Sequence, residues 1–321
     1  MELFNPNSKI DFMRWGKTSL VIATIISIFA AAIIFTRGID YGLDFTGGTS
    51  IEVSYEKATT VAEVRSALTA GGFENAVVQT FGGTNDFAIR IVADKEAQAT
   101  TQEASAQANS MVAAKVLTAL RAQRSDASVL GSEFVGAQVG EELRESGLVA
   151  VIFVVFGITI YLWIRFEWRF AVAAIITEIH DTLFTVAIFV MIGGEFDLPA
   201  LAAVLSVIGY SINDTIVVFD RVREMFRASR KGEPAQVLNK SINTTLSRTI
   251  MTSSTTALAV GALYFVGGPA LENFGLIMLI GIFIGTLSSI FISNPLLLVL
   301  GVSKQDLMPV SKDDPELERR P

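Results

Sequence analysis

The chain has 321 residues, 51% of them hydrophobic, and a formal net charge of −7 from 25 basic and 32 acidic side chains. A mean hydropathy of +0.50 is too high for an ordinary soluble domain, and the acidic balance argues against a nucleic-acid partner, which requires a basic face. With no cysteine and one histidine, His180, disulfides, thiolate chemistry and Cys-based or multi-His metal sites are excluded.

A bilayer-crossing helix needs roughly 20 mostly apolar residues. Six stretches meet this, at 18–35, 148–164, 170–192, 198–219, 249–266 and 274–300. The first follows Lys9, Arg14 and Lys17, as in a secretory signal. Its apolar run continues through Ala30-Ala31-Ala32 into Ile33-Ile34-Phe35, so an uncleaved anchor is expected. The expected organisation is a cytoplasmic N-terminus (1–17), a first span (18–36), an outside domain (37–146), five further spans (147–301) and a polar, disordered cytoplasmic tail (302–321).

The outside segment is long enough for a small domain. After Asp44-Phe45-Thr46-Gly47-Gly48-Thr49, the alternation of Ile51, Val53 and Tyr55 predicts a half-buried strand. Val61, Val64 and Leu68 are spaced for a helix, which Gly71-Gly72 ends. A strand is expected at 76–80, a turn at Gly82-Gly83, and a strand through Phe87, Ile89 and Ile91. A long Ala- and Gln-rich helix at 98–124 and a last strand at 128–135 complete the order strand, helix, strand, strand, helix, strand. That order is the ferredoxin-like arrangement. The segment carries no catalytic constellation and reads as a grip or docking surface, with a passive spacer as the alternative. Gly47-Gly48 permits backbone angles other residues avoid. It lacks the downstream Lys and Ser/Thr of a phosphate-binding loop and reads as a turn before a strand.

Basic residues set the orientation. Arg165 and Arg169 follow the second stretch. Arg221, Arg223, Arg227, Arg230, Lys231 and Lys240 separate the fourth from the fifth, and Lys304, Lys312, Arg319 and Arg320 lie in the tail. The alternate short loops, 193–197 and 267–273, have no Lys or Arg. Both termini are therefore expected in the cytoplasm, with the inserted domain outside.

Charge inside the spans is the most informative feature. A carboxylate at bilayer depth costs roughly 3 kcal/mol even on the lenient insertion scale. Asp214 sits inside the fourth stretch, and Ser206, Tyr210 and Asp214 recur every four residues on one helical face, with Gly209 and Asn213 beside them. Arg248 opens the fifth stretch from the same side, followed by the hydroxyl run Thr252-Ser253-Ser254-Thr255-Thr256. The expected arrangement is an Asp214–Arg248 pair across neighbouring helices, the guanidinium offsetting the cost of the buried acid. The other reading of Arg248 is a cytoplasmic anchor. Asp181 lies near the middle of the third stretch, where function and structural hydrogen bonding are equally supported. His180 reads as a packing residue and Glu178 as an interfacial or bundle-facing polar group. Gly281-x-x-x-Gly285 suggests close helix packing, and Asn294-Pro295 suggests a kink or an end to the sixth span.

Two motifs resemble a known family. Gly42-Leu43-Asp44-Phe45-Thr46-Gly47-Gly48 is similar to the segment that opens the first periplasmic region of SecD/SecF proteins. The run from Gly209 to Glu224, GYSINDTIVVFDRVRE, resembles the fourth-span motif of the SecF branch. The resemblance covers nearly the whole chain in order, span count and domain placement. It implies an α-helical polytopic membrane protein of six transmembrane helices, one half of an RND-like unit, with an inserted α+β ferredoxin-like periplasmic domain. It further implies a non-enzymatic accessory subunit of the bacterial Sec translocase in the inner membrane. Such a subunit works with SecD, the SecYEG channel and YajC on secreted unfolded polypeptides, with protons as coupling ion and no other cofactor. The family's proton-associated aspartate and arginine fall on Asp214 and Arg248, and Asn213 and Asp181 join them as candidate pathway residues.

Three other classes compete with this one. An RND-type exporter half for lipids or small molecules would carry a larger outside domain with a ligand tunnel and a further outside domain, for which loop 193–197 is too short. An intramembrane aspartyl protease would need a Gly-x-Gly-Asp run, which Ser211-Ile212-Asn213-Asp214 is not. A non-conducting scaffold of the translocon is the third.

Overall fold

The computed structural model describes residues 9–80, 83, 85–92, 102–228 and 233–303. The expected tail beyond 303, Gly82 of the expected turn, the first residues of the expected 98–124 helix, and Arg230 and Lys231 lie outside the described residues.

After a 3-10 turn at Met13–Trp15, α1 (Gly16–Arg37) crosses once. A short helix, α2 (Leu43–Thr46), not anticipated from the sequence, sits inside the glycine motif and leads into β1 (Gly48–Tyr55). Then come α3 (Val61–Ala70), β2 (Val77–Thr80), β3 (Asp86–Val92), α4 (Gln102–Gln123) and β4 (Ala127–Val135). The start of α3 is fixed by a capping box: the Thr60 hydroxyl accepts from Glu63 N while the Glu63 carboxylate accepts from Thr60 N.

The sheet order is β2-β3-β1-β4, all antiparallel, with Ile51 opposite Ile89 and Ser132. This is the expected ferredoxin-like topology. Ile51, Val53, Phe87 and Ile89 alternate inward against Val64 and Leu68 of α3 and Val116 and Leu120 of α4. The Arg124 guanidinium, 2.6 Å from Asp126, holds that carboxyl down to about 2 and ties the α4–β4 turn to the end of β1.

Five long helices follow: α5 (Ala137–Arg165), α6 (Trp168–Ile192), α7 (Leu198–Ala228), α8 (Pro234–Val266) and α9 (Pro269–Phe291), with α10 (Ser293–Val299) completing the last span. With α1 they give six helices long and apolar enough to cross a membrane. Three begin or end well outside the apolar stretches, because polar residues such as Gln138–Glu145 and Arg221–Arg227 sustain a helix as readily as apolar ones. The last span breaks at Ile292, just before Asn294-Pro295, where proline cannot continue the hydrogen-bond ladder.

Glycine decides the central packing. A Cβ on Gly281 would lie 2.3 Å from Val207 Cγ2, and one on Gly285 3.1 Å from Ser211 Cβ, so α9 can lie directly on α7 only with glycine there. At the base of the domain, Gly47 has φ +67° and its Cβ would meet Ala137 Cα at 2.7 Å. The glycine motif therefore supplies both a left-handed turn and the space for the first turn of α5.

Gly281→Ala is expected to destabilise the detergent-solubilised chain by about 1–3 kcal/mol. Gly261→Ala, with nothing within 4 Å of the added Cβ, is expected to change stability by less than about 0.5 kcal/mol. Unfolding titrations of the two variants check this.

Candidate functional site in the helix bundle

Two buried carboxylates occupy opposite flanks of α7. Asp181 of α6 is 0% exposed. Its Oδ1 lies 2.9 Å from His180 Nδ1, and its Oδ2 accepts hydrogen bonds from Ser211 of α7 at 2.6 Å and Ser288 of α9 at 2.5 Å. One acid thus ties α6, α7 and α9 together. Glu178, one turn earlier on α6, is half-buried beside Asp181 and Ser211 and accepts from Thr182 at 3.5 Å. His180 packs as expected, 5.9 Å from the Phe184 ring, and its Nε2 has no hydrogen-bond partner among the described residues.

Asp214 of α7 is 2% exposed and faces α8, where Ser253 donates to its Oδ2 at 3.4 Å. Ser253 is a hub: Tyr210 Oη donates to it at 3.3 Å and Thr286 of α9 at 2.7 Å. The expected Ser206–Tyr210–Asp214 face therefore descends from surface to interior, with Ser206 exposed, Tyr210 half-buried and Asp214 buried.

Arg248 lies within electrostatic reach of Asp214, but no ion pair within 4.0 Å joins them among the described residues. The guanidinium-bearing residue is exposed on the outer face of α8, nearly half-way along that helix. Asn213 is also exposed, on the outer face of α7 with Ser206 and Gly209. The expected pair is thus a buried acid and a surface cation bordering one polar strip. Asp181 stands apart, on separate hydrogen-bond partners. The hydroxyl run at 252–256 offers groups either to water or to the facing span, and Ser253 takes the second role; Thr286 was visible only as the residue after the glycine pair and its bridging part had no signal.

A six-helix bundle with an inserted ferredoxin-like domain and intramembrane acids defines a multi-pass membrane protein of RND-like half-transporter architecture. The family model for protein export membrane protein SecD/SecF, C-terminal, matches residues 115–303, and the SecD/SecF GG motif matches 32–59. The chain belongs to the SecD/SecF family of protein-export membrane proteins. It is 39% identical to a protein translocase subunit SecF of Vibrio alginolyticus, over 100% of this chain and 99% of that one. It is 41% identical to the SecF subunit of Pseudomonas aeruginosa, covering 95% and 96%. The crystal structure of SecDF from Thermus thermophilus, described as a translocon-associated membrane protein, superposes with a TM-score of 0.80 at 35% identity. That match covers 93% of this chain, which spans only 39% of the solved SecDF chain.

Asp181→Leu removes the acceptor shared by His180, Ser211 and Ser288, of which Ser288 keeps the Gly285 carbonyl at 3.1 Å, and is expected to lower bundle stability by about 1–3 kcal/mol for each donor left unpaired. Ser288→Ala should cost less, because the acid keeps its other two partners. Thermal unfolding in detergent measures both.

Proposed function

We propose that the chain is a proton-driven accessory subunit of a Sec translocase in the bacterial inner membrane. In this reading, proton movement at Asp214 shifts the helix packing, and the inserted domain moves to help draw secreted polypeptides outward. The carrying observation is the buried Asp214 behind an open polar strip. Asn213, Gly209 and Ser206 of α7 and Arg248 and Thr255 of α8 are exposed at span depth. Ser206 and Thr255 bond back to the carbonyls of Ala202 and Met251, whereas the Asn213 amide and the Arg248 guanidinium need a partner other than lipid. A second six-helix half, of the kind present in the longer SecDF chain, supports this reading because it would cover the strip and complete a two-fold unit. SecD is the proposed source of that half, with SecYEG and YajC as further partners.

Asp214 in its neutral form loses its attraction to Arg248, and Arg248 is then free to pair with the facing half. Each proton crossing 100 mV supplies roughly 2.3 kcal/mol, so several can drive a domain movement. In this reading both termini lie in the cytoplasm and the α/β domain in the periplasm, which the basic residues of the alternate loops support. A scaffold role without proton movement remains the competing reading, and the same measurement separates the two.

Asp214→Asn, reconstituted with its partner subunits in proteoliposomes, is expected to abolish proton-gradient stimulation of export while leaving the complex assembled. Proton flux measured with a pH dye and late-stage export of a reporter protein should both fall to the no-gradient level. Normal flux with normal export overturns the proton-driven reading.

A further inference from the structure

The α/β domain meets the bundle at a joint whose charges are unequal. On the bundle side, the 193–197 loop between α6 and α7 supplies Glu195 and Asp197, and the segment leaving α1 supplies Asp40 and Asp44. The domain supplies one cation to them, Arg90 of β3, whose side chain is 9% exposed. Arg90 Nη1 donates to Glu195 Oε1 and to the Tyr41 carbonyl at 2.8 Å, and Nη2 donates to Asp40 Oδ1 at 3.2 Å. Strand β3 is held on both sides, with Arg90 opposite Ser50 of β1 and Val77 of β2, so the guanidinium is carried by the sheet itself.

The loop it grips is equally well fixed to the bundle. Asp44 accepts from Leu198 N, the first residue of α7, at 2.8 Å, and Asp197 accepts from Ala200 N at 2.7 Å. Asn273 of α9 donates to Asp197 Oδ2 at 2.7 Å and to the Glu195 carbonyl at 3.0 Å. Arg90 is therefore two contacts from the head of α7, the helix that carries Asp214 half-way along its length.

We propose that Arg90 is a positioning residue that fastens the α/β domain to the head of α7 and passes displacement of that helix to the domain. The inference rests on the proton-driven reading for its purpose, but the fastening is testable alone. Without the guanidinium, the joint keeps its backbone bonds, Phe196 N to Asp40 O at 2.7 Å and Gly42 N to Phe196 O at 2.8 Å, and the Phe45–Phe196 ring stack. These hold the linker to the loop. The sheet's other ties run through its base, where Gly47 packs on the first turn of α5 and β4 continues through Gly136 into that helix, so removing Arg90 loosens the domain's angle without unfolding it.

The surrounding acids give the joint a pH response. Burial pushes the Glu195 carboxyl up, and Asp40 and Asp197 push it further, against Arg90. Burial likewise raises Asp197, with Asp44 adding to it against Asn273 and the Ala200 amide. Arg37, at the end of α1, donates to the Met191 carbonyl at 3.2 Å and is the other cation nearby. Arg90 is what the domain adds to Glu195, and it pulls that carboxyl down, so the ion pair needs the ionised acid and weakens as Glu195 takes up a proton.

The chain has no cysteine, so Leu130→Cys on β4 and Val266→Cys at the domain-side end of α8, 60% and 84% exposed, can take spin labels. In full-length protein with its partner subunits in lipid, Arg90→Gln is expected to broaden the label distance distribution. It should reduce gradient-stimulated export about tenfold while proton flux persists. The exchange Arg90→Glu with Glu195→Arg should restore both. An unchanged distribution in Arg90→Gln, or failure of the exchange to restore it, overturns the proposal. Should Arg90→Gln not reach the membrane, Glu195→Ala must show the same broadening. Failure of the proton-driven reading shows up separately, as normal export in Asp214→Asn, and leaves the distance result to decide the fastening.

Discussion

The carboxylate of Asp181 is sealed from water, and its hydrogen bonds come from three helices. At bilayer depth no solvent replaces a lost partner, so this acid constrains the bundle more than any apolar contact of similar size. Ser288 shares the acid with Ser211 across a close α7–α9 contact that Gly285 permits, since a Cβ there would stand 3.1 Å from the Ser211 Cβ. The rotation of α7 follows. With Ser211 turned toward α6 and α9, Asp214, three residues on, is turned toward α8 and its hydroxyl residues. The buried position of the proton candidate is thus set by a different acid on a different helix.

Legibility from sequence divides along physical lines. Spans and strands follow from period and length, which are local properties, so the βαββαβ order and the six helices could be read directly. Helix ends could not, since Arg221–Arg227 and Gln138–Glu145 continue helices past the apolar runs. Asp214 and Arg248 were visible because charge at span depth is rare. Their separation was not, because one-dimensional spacing does not tell which way α8 is rotated. Arg248 and Thr255 turn outward while Ser253 turns in. Arg90 left no signal at all: an arginine in an alternating strand looks like a solvent-facing residue until a loop from more than a hundred positions away folds over it.

Asp214 and Arg248 make chemical sense as parts of a site shared across a boundary. A buried acid closely paired with its own chain's cation would be satisfied and hard to titrate. Here the acid is held by a weak 3.4 Å serine contact and the cation stands on an open face. Each keeps capacity for another group, and Asn213 beside the acid is exposed as well.

The head and the middle of α7 then acquire related roles. Half-way along, Asp214 sits among hydroxyl partners. At the head, Asp44 and Asp197 satisfy the first amides of the helix, where negative charge is favoured by the helix dipole. Asp44 belongs to the glycine motif, and the motif's Gly47 packs against α5 through a turn that only glycine adopts without strain. The motif is therefore a mount joining α5, α7 and the sheet within a few residues, and its glycines are required by that crowding and not by a ligand. A helix held this firmly at its head cannot slide independently of the domain. Any change of packing around Asp214 must either be absorbed along the length of α7 or appear as a tilt of the α/β domain, and the ion pairs of Arg90 favour the tilt.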